Sequence, residues 1–234
     1  MARITRKELK TDKFAVEVGQ TFTFFEEHRQ EFVRYGVIAA VAIAIVLAVL
    51  FYQRRQHAAR QNDLAKAIQV QEAPTGPSAG QNSPIGFPTP EAKEEAAIKA
   101  FSEVQSKYPS SPEGEIAGYY LGSINADQGK LAEAEKRFLE VSQKGDSRYA
   151  SLAKLSLAQI YFADGHASQG EQILRDMMAH PTIFVSREQA AVTLARLLLH
   201  SNPTEARKLL DPLKTRSGNV GEVVLSLYGE LPPQ

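Results

Sequence analysis

The sequence contains no cysteine and no tryptophan, and its 27 lysines and arginines are matched by 27 aspartates and glutamates. Without cysteine there is no disulfide framework and no thiol nucleophile, and a structural zinc site loses its usual ligand. The same absence is compatible with a domain outside the cytoplasm. A net charge of zero offers no electrostatic footprint for nucleic acid. Beyond residue 90 the alternation of apolar and polar residues that marks half-buried strands is missing as well. What remains is 234 residues, 43% hydrophobic and 23% charged, enough for one or two domains with a real core.

One long apolar run is present. Tyr35 to Tyr52 is uncharged and mostly apolar, and Arg54 and Arg55 follow it. Eighteen helical residues at about 1.5 Å each span roughly 27 Å, close to the ~30 Å hydrocarbon thickness of a bilayer. A core helix of a soluble domain would show a polar stripe, and this run has none. A cleaved signal peptide fits poorly, because 34 residues precede the run and "YQRRQHAAR" provides no small-x-small cleavage site. Residues 35–52 therefore read as an uncleaved transmembrane helix, with residues 1–34 as a tail and juxtamembrane segment. The tail carries Arg3, Arg6, Lys7, Lys10, Lys13, Arg29 and Arg34, of which only Arg29 and Arg34 lie near the span, whereas Arg54, Arg55, Arg60 and Lys66 follow it closely and favour the opposite side. Long domains cross largely regardless of charge, so the expectation keeps the short tail in the cytoplasm and the larger C-terminal part outside it.

After the span, residues 53–72 read as a helix that leaves the membrane. Residues 73–90, "APTGPSAGQNSPIGFPTP", are rich in proline and glycine and read as a loop without regular structure. From there on, breaks at Pro112, Gly129, Gly145, Gly165, Pro181, Pro203 and Gly218 separate helix-length segments. The expected helices are 91–107, 112–127, 130–144, 147–163, 167–179, 186–200, 203–214 and 219–229.

Those segments share a period of 36 or 37 residues. Ala97, Ala134, Gly170 and Ala206 are each followed four residues later by a bulky residue: Phe101, Phe138, Leu174 and Leu210. Three residues further on come Val104, Val141, Met177 and Leu213. The preceding helices carry Leu121-Gly122, Leu157-Ala158 and Leu194-Ala195, and upstream Leu64-Ala65 is the comparable pair. Each unit is thus two antiparallel helices, the small residue permitting close approach and the bulky pair filling the space between them. Residues 53–72 supply the first leading helix, and 73–90 is an insertion between paired helices whose closure entropy grows only logarithmically with length.

These residues resemble the tetratricopeptide repeat. "YYLGSINADQGKLAEAEKRFLEV" holds that family's Leu-Gly pair, its turn glycine (Gly129), its small residue (Ala134) and its aromatic (Phe138). "LSLAQIYFADGHASQGEQILRDM" repeats the pattern, and Pro109 supplies the terminal proline. The period is longer than the family's 34 residues, tryptophan is absent, and Asn202 replaces the last turn glycine. The whole layout is similar to bacterial, single-pass, YfgM-like membrane proteins with a tetratricopeptide-like domain. That resemblance implies an all-α chain: one N-terminal transmembrane helix, then a right-handed solenoid of helical hairpins over 91–234 with a C-terminal capping helix. It also implies a bacterial inner-membrane protein with a periplasmic domain, whose partners are translocon subunits or exported polypeptides and whose role is scaffolding or chaperoning.

No catalytic constellation emerges, and no metal site or cofactor is expected. "GPSAG" at 76–80 matches a nucleophile-elbow pattern but lies in the proline-rich loop instead of a strand-turn-helix. "GSINADQGKL" spaces its glycines wrongly for a phosphate loop. His28, His57, His166, His180 and His200 never recur at ligand spacing.

Two binding faces are expected. Gly36, Ala40, Ala44 and Ala48 recur every four residues in the span and form a smooth ridge against which another transmembrane helix can pack. On the repeat family's pattern, Ile116, Tyr119, Phe162, Val192 and Leu199 would line a groove along the leading helices, with Leu152, Leu155 and Gln189 beside them. The expectation buries Leu152 and Leu155, exposes Tyr119 and Phe162, and lets "NVGEVVLSLYGEL" fill or cap the groove.

Overall fold

The computed structural model describes residues 29–76, 85–144, 147–216 and 218–232. In chain order its helices are α1 (Arg29–Glu72), α2 (Pro90–Lys107), α3 (Pro112–Asp127), α4 (Leu131–Lys144) and α5 (Ser147–Ala163). They continue with α6 (Ala167–Ala179), α7 (Arg187–Leu198), α8 (Pro203–Leu210) and α9 (Asn219–Glu230). Among the described residues there is no strand, and the helices form a tetratricopeptide-like array. The expected segment 203–214 is corrected: the α-helix stops at Leu210 and a 3-10 turn, Asp211–Leu213, follows. Pro212 cannot donate the backbone hydrogen bond that would continue the helix.

Helix starts are set by local chemistry. Thr89, Ser111 and Asn202 each accept a hydrogen bond from a first-turn amide, and each precedes a proline whose missing N–H is one the helix would leave unpaired anyway. Ser186 caps α7 through the amide of Gln189. Between α3 and α4 the chain turns at Gly129, whose φ of +73° lies in the left-handed region that side chains disfavour.

The chain divides into two compact units, 1–58 and 59–234. In the first, the apolar part of α1 is exposed along its length: Ile38 at 56%, Leu47 at 60% and Phe51 at 70%. Among the described residues, this is the one helix long and apolar enough to cross a membrane. The tail residues 1–28, with most of its cations, lie outside the described residues.

In the second unit the repeated residues form the core. Ala97, Ala134 and Ala206 are 0% exposed, and so are Phe101, Leu174 and Leu210, while Phe138 is 1%. The close approach is visible at the glycines. A Cβ on Gly122 would sit 2.9 Å from the Phe138 ring, and one on Gly170 would sit 2.6 Å from the Ala158 carbonyl oxygen. The buried residues fall into three clusters along the array. The last of them includes Val224 and Leu227 of α9, so the terminal helix closes the core of the final hairpin.

The first hairpin needs one correction. Leu64 is buried at 7%, but its neighbour Ala65 is exposed, and Ala67 at 1% provides the small buried position. α1 and α2 are further joined by ions. Asp63 accepts from Lys107 Nζ at 2.7 Å and from the Tyr108 hydroxyl at 2.9 Å. The Lys107 hydrogen bond, reinforced by that of Tyr108, holds the Asp63 carboxyl below the usual carboxylate range. Nearby, Arg60 Nε lies 3.4 Å from Glu113 Oε2, a carboxylate buried in the first turn of α3.

The long loop is corrected in part. Its described ends are not irregular throughout: Gly76 N–H donates to the Phe87 carbonyl at 2.9 Å and Phe87 N–H to that of Pro74 at 3.1 Å. This single parallel bridge between Thr75 and Phe87 closes the base of the loop.

Since the Phe138 ring fills the space between α3 and α4, Phe138→Ala is expected to cost about 3–5 kcal/mol. Urea unfolding followed by circular dichroism measures it. A midpoint within error of the parent would contradict the wedge.

Candidate functional site

The expected groove residues do not share one environment. Tyr119 is half-buried and touches three rings: Tyr120 at 5.9 Å between centroids, Phe138 at 5.6 Å and Tyr149 at 5.6 Å. Ile116 is half-buried against the N-terminal core cluster, and Phe162 and Val192 are half-buried against the C-terminal one. Phe162 is occupied by its own hairpin, because its ring fills the space beside Gly170. Leu199 is a correction: at 3% exposure it belongs to the C-terminal core, with Leu210 and Val224, and lines no groove. Leu155 is buried at 9%, and Leu152 is partly buried beside it. In the span, Gly36, Ala40, Ala44 and Ala48 are all exposed, and nothing lies within 4 Å of the position a Cβ would take on Gly36.

What the structure assembles instead is a strip of rings that crosses successive hairpins. Tyr119 and Tyr120 come from α3 and Tyr149 from the first turn of α5; Phe184 comes from the loop between α6 and α7. Tyr149 meets Phe184 edge-on at 5.8 Å, and Phe101 stacks on Tyr120 at 4.7 Å and 4°. Such edge and offset contacts are the preferred geometries of aromatic pairs. Burial, with the neighbouring Tyr149 hydroxyl second, raises the Tyr120 pKa. At the Phe184 end the Arg148 guanidinium sits 5.9 Å from the ring centroid.

The strip ends in an apolar projection. Ile183 is 91% exposed and Phe184 is 38% exposed, although both residues flanking the pair are held firmly. Thr182 N–H donates to the Val185 carbonyl at 2.9 Å, and Val185 N–H donates to Thr182 Oγ1 at 3.1 Å. Thr182 Oγ1 in turn donates to Ser151 Oγ at 2.9 Å, and Val185 is 1% exposed in the core. A four-residue turn pinned at both ends thus presents its two central apolar side chains outward. Fixing it costs little at binding, because its entropy is already lost in the free protein.

Tyr120, Tyr149, Ile183 and Phe184 were not singled out from the sequence. The signal for Ile183-Phe184 was present, since two large apolar residues stood between Pro181 and Ser186 in an evident loop. Tyr149 gave none, because its role depends on which residue of the neighbouring leading helix it reaches.

Among the described residues, no group of three or more histidines, aspartates or glutamates is placed to hold a metal ion. His166 pairs with Asp164 at 3.3 Å and His180 with Asp176 at 3.0 Å, both pairs on the surface.

A family model described as a tetratricopeptide repeat-like domain matches residues 24–189, which takes in the apolar helix, the first three hairpins and the projecting turn. No curated protein and no solved structure matches the chain.

Thr182→Val removes the hydroxyl that caps Val185 N–H and is expected to destabilise by about 1–3 kcal/mol. Ile183→Ala, at an exposed site, should stay within about 0.5 kcal/mol of the parent. Thermal unfolding of both variants checks the contrast, and equal losses would contradict a turn built to present Ile183.

Proposed function

The chain belongs to the tetratricopeptide repeat-like domain family, and from that premise we propose that it is a non-enzymatic, membrane-anchored module that binds polypeptides. Its role on this reading is that of a scaffold or chaperone for exported proteins beside the secretion translocon. The observation that carries the reading is the ring strip running from Tyr119 through Tyr149 to Phe184 and Ile183. Rings with a polar edge and an apolar face contact extended chains of many sequences, so the surface suits unfolded segments better than one small ligand. The groove proposed from Ile116, Tyr119, Phe162, Val192 and Leu199 narrows, on this reading, to Tyr119 and the residues beyond it.

Location is part of the proposal. The apolar helix is long enough to span a bilayer, and the resemblance to YfgM-like proteins favours the bacterial inner membrane, with the N-terminal tail cytoplasmic and the repeats periplasmic. The Gly36, Ala40, Ala44 and Ala48 ridge would then meet a transmembrane helix of a translocon subunit. Tethering raises the effective concentration of the strip near its clients, so individually weak contacts suffice. A second reading, an adaptor that grips one fixed partner, draws support from the rigidity of the turn at 182–185.

The absence of cysteine makes topology easy to test. In intact cells, Ile183→Cys should react with a membrane-impermeant thiol reagent and Lys10→Cys should not; the reverse pattern contradicts a periplasmic domain. Full-length protein in lipid nanodiscs should suppress aggregation of a denatured client at near-equimolar ratio, and Tyr149→Ala with Ile183→Asp should lose most of that effect. A parent protein that suppresses nothing favours the adaptor.

A further inference from the structure

A groove of about 300 Å³ opens between α1 and α2, and no residue of the ring strip lines it. The two helices are antiparallel, and the Asp63–Lys107 bridge at 2.7 Å fixes their register. One turn along from that bridge Lys66 stands level with Glu103, and one turn further Val70 stands level with Ala100. All six residues line the groove. Asp63 and Lys107 are engaged with each other. Lys66 reaches no closer than 3.9 Å to Asp63 on its own helix, and Glu103 has no ion-pair partner among the described residues.

We propose that this face is covered by the same face of a second copy of the chain, in a two-fold pair whose axis runs along the helices. The charges decide between the two ways of laying this face on itself. With the axis along the helices, each leading helix α1 meets the partner's trailing helix α2 at the same level, which sets Lys66 against Glu103 of the partner subunit, twice over. With the axis across the helices, α1 meets α1 and α2 meets α2: at the level of Lys66 that sets lysine against lysine and glutamate against glutamate, and nearer the bridge it sets Lys66 and Glu103 against an Asp63 and a Lys107 that are already engaged with each other. Only the first arrangement gives Lys66 and Glu103 partners that are not already engaged, and self-complementarity of that kind is what a two-fold interface requires. In it the half-buried Val70 and Ala100 of each copy close over one another, and the exposed charges form the rim. The ring strip takes no part, so a pair joined here keeps two binding surfaces.

The test is the mass of full-length protein in detergent, by light scattering on the eluting peak, with helicity checked by circular dichroism. The parent should elute as two chains. Lys66→Glu and Glu103→Lys should each weaken association by about tenfold or more, since each sets like charges opposite one another twice. Combining them restores opposite signs and should restore the pair. A parent that elutes as one chain overturns the proposal, as it would if the groove takes a helix of another protein. Single variants that remain paired overturn it in favour of a contact elsewhere, such as the span. A double variant as monomeric as the singles also overturns it.

Discussion

Everything else in the second unit depends on how closely the two helices of a hairpin can approach. At Ala97, Ala134, Gly170 and Ala206 the trailing helix presents little or no side chain, and each of these positions is buried. Close packing then leaves room for one bulky residue a turn later, and Phe101, Phe138, Leu174 and Leu210 fill it in order. The contact between Gly122 and the Phe138 ring shows how little slack there is: a single added carbon would fall within 2.9 Å. Protein interiors of this density pass a local misfit on to their neighbours, so the spacing of the whole stack follows from these four sites.

The half-buried ring strip is a by-product of the same constraint. Once the hairpins are stacked at fixed spacing, the leading helices α3 and α5 lie side by side and Tyr149 reaches Tyr119. The turn at 182–185 extends the row because Ser151, on α5, holds Thr182 in place. Architecture and surface are therefore one structure: the small residues set the spacing and the aromatic residues display it. The ions between α1 and α2 do a related task at the other end, where the loop of residues 73–90 separates the paired helices and Asp63 fixes their register.

Most of this fold was legible in the sequence, because its rules are local or periodic. The small-bulky-bulky triplet could be read at Ala134, Phe138 and Val141 and again at Gly170, Leu174 and Met177, and the caps at Ser111 and Asn202 lie beside their prolines. The binding surface was less legible, since it depends on contacts between hairpins. Leu199 looked like a groove residue by position, yet the chain turns at the end of α7 and carries it into the core beside α8 and α9. Ala65 matched the repeat by identity alone, and in the first leading helix it is Ala67 that fills the buried role. Ile183 was visible as an apolar residue in a loop, but its 91% exposure depends on hydrogen bonds that no periodicity encodes.

The central claim, that close approach at the small residues sets the array, is tested most directly by filling one of them. Ala134 is fully buried and Ala132, two residues earlier on the same helix, is exposed. Thermal unfolding of full-length Ala134→Leu and Ala132→Leu compares the two sites with the same side chain. The account predicts that Ala134→Leu lowers the melting temperature by about 2–12 °C, from an overpacking cost of about 1–3 kcal/mol, while Ala132→Leu leaves it unchanged. Two melting curves that superimpose on the parent's would contradict it.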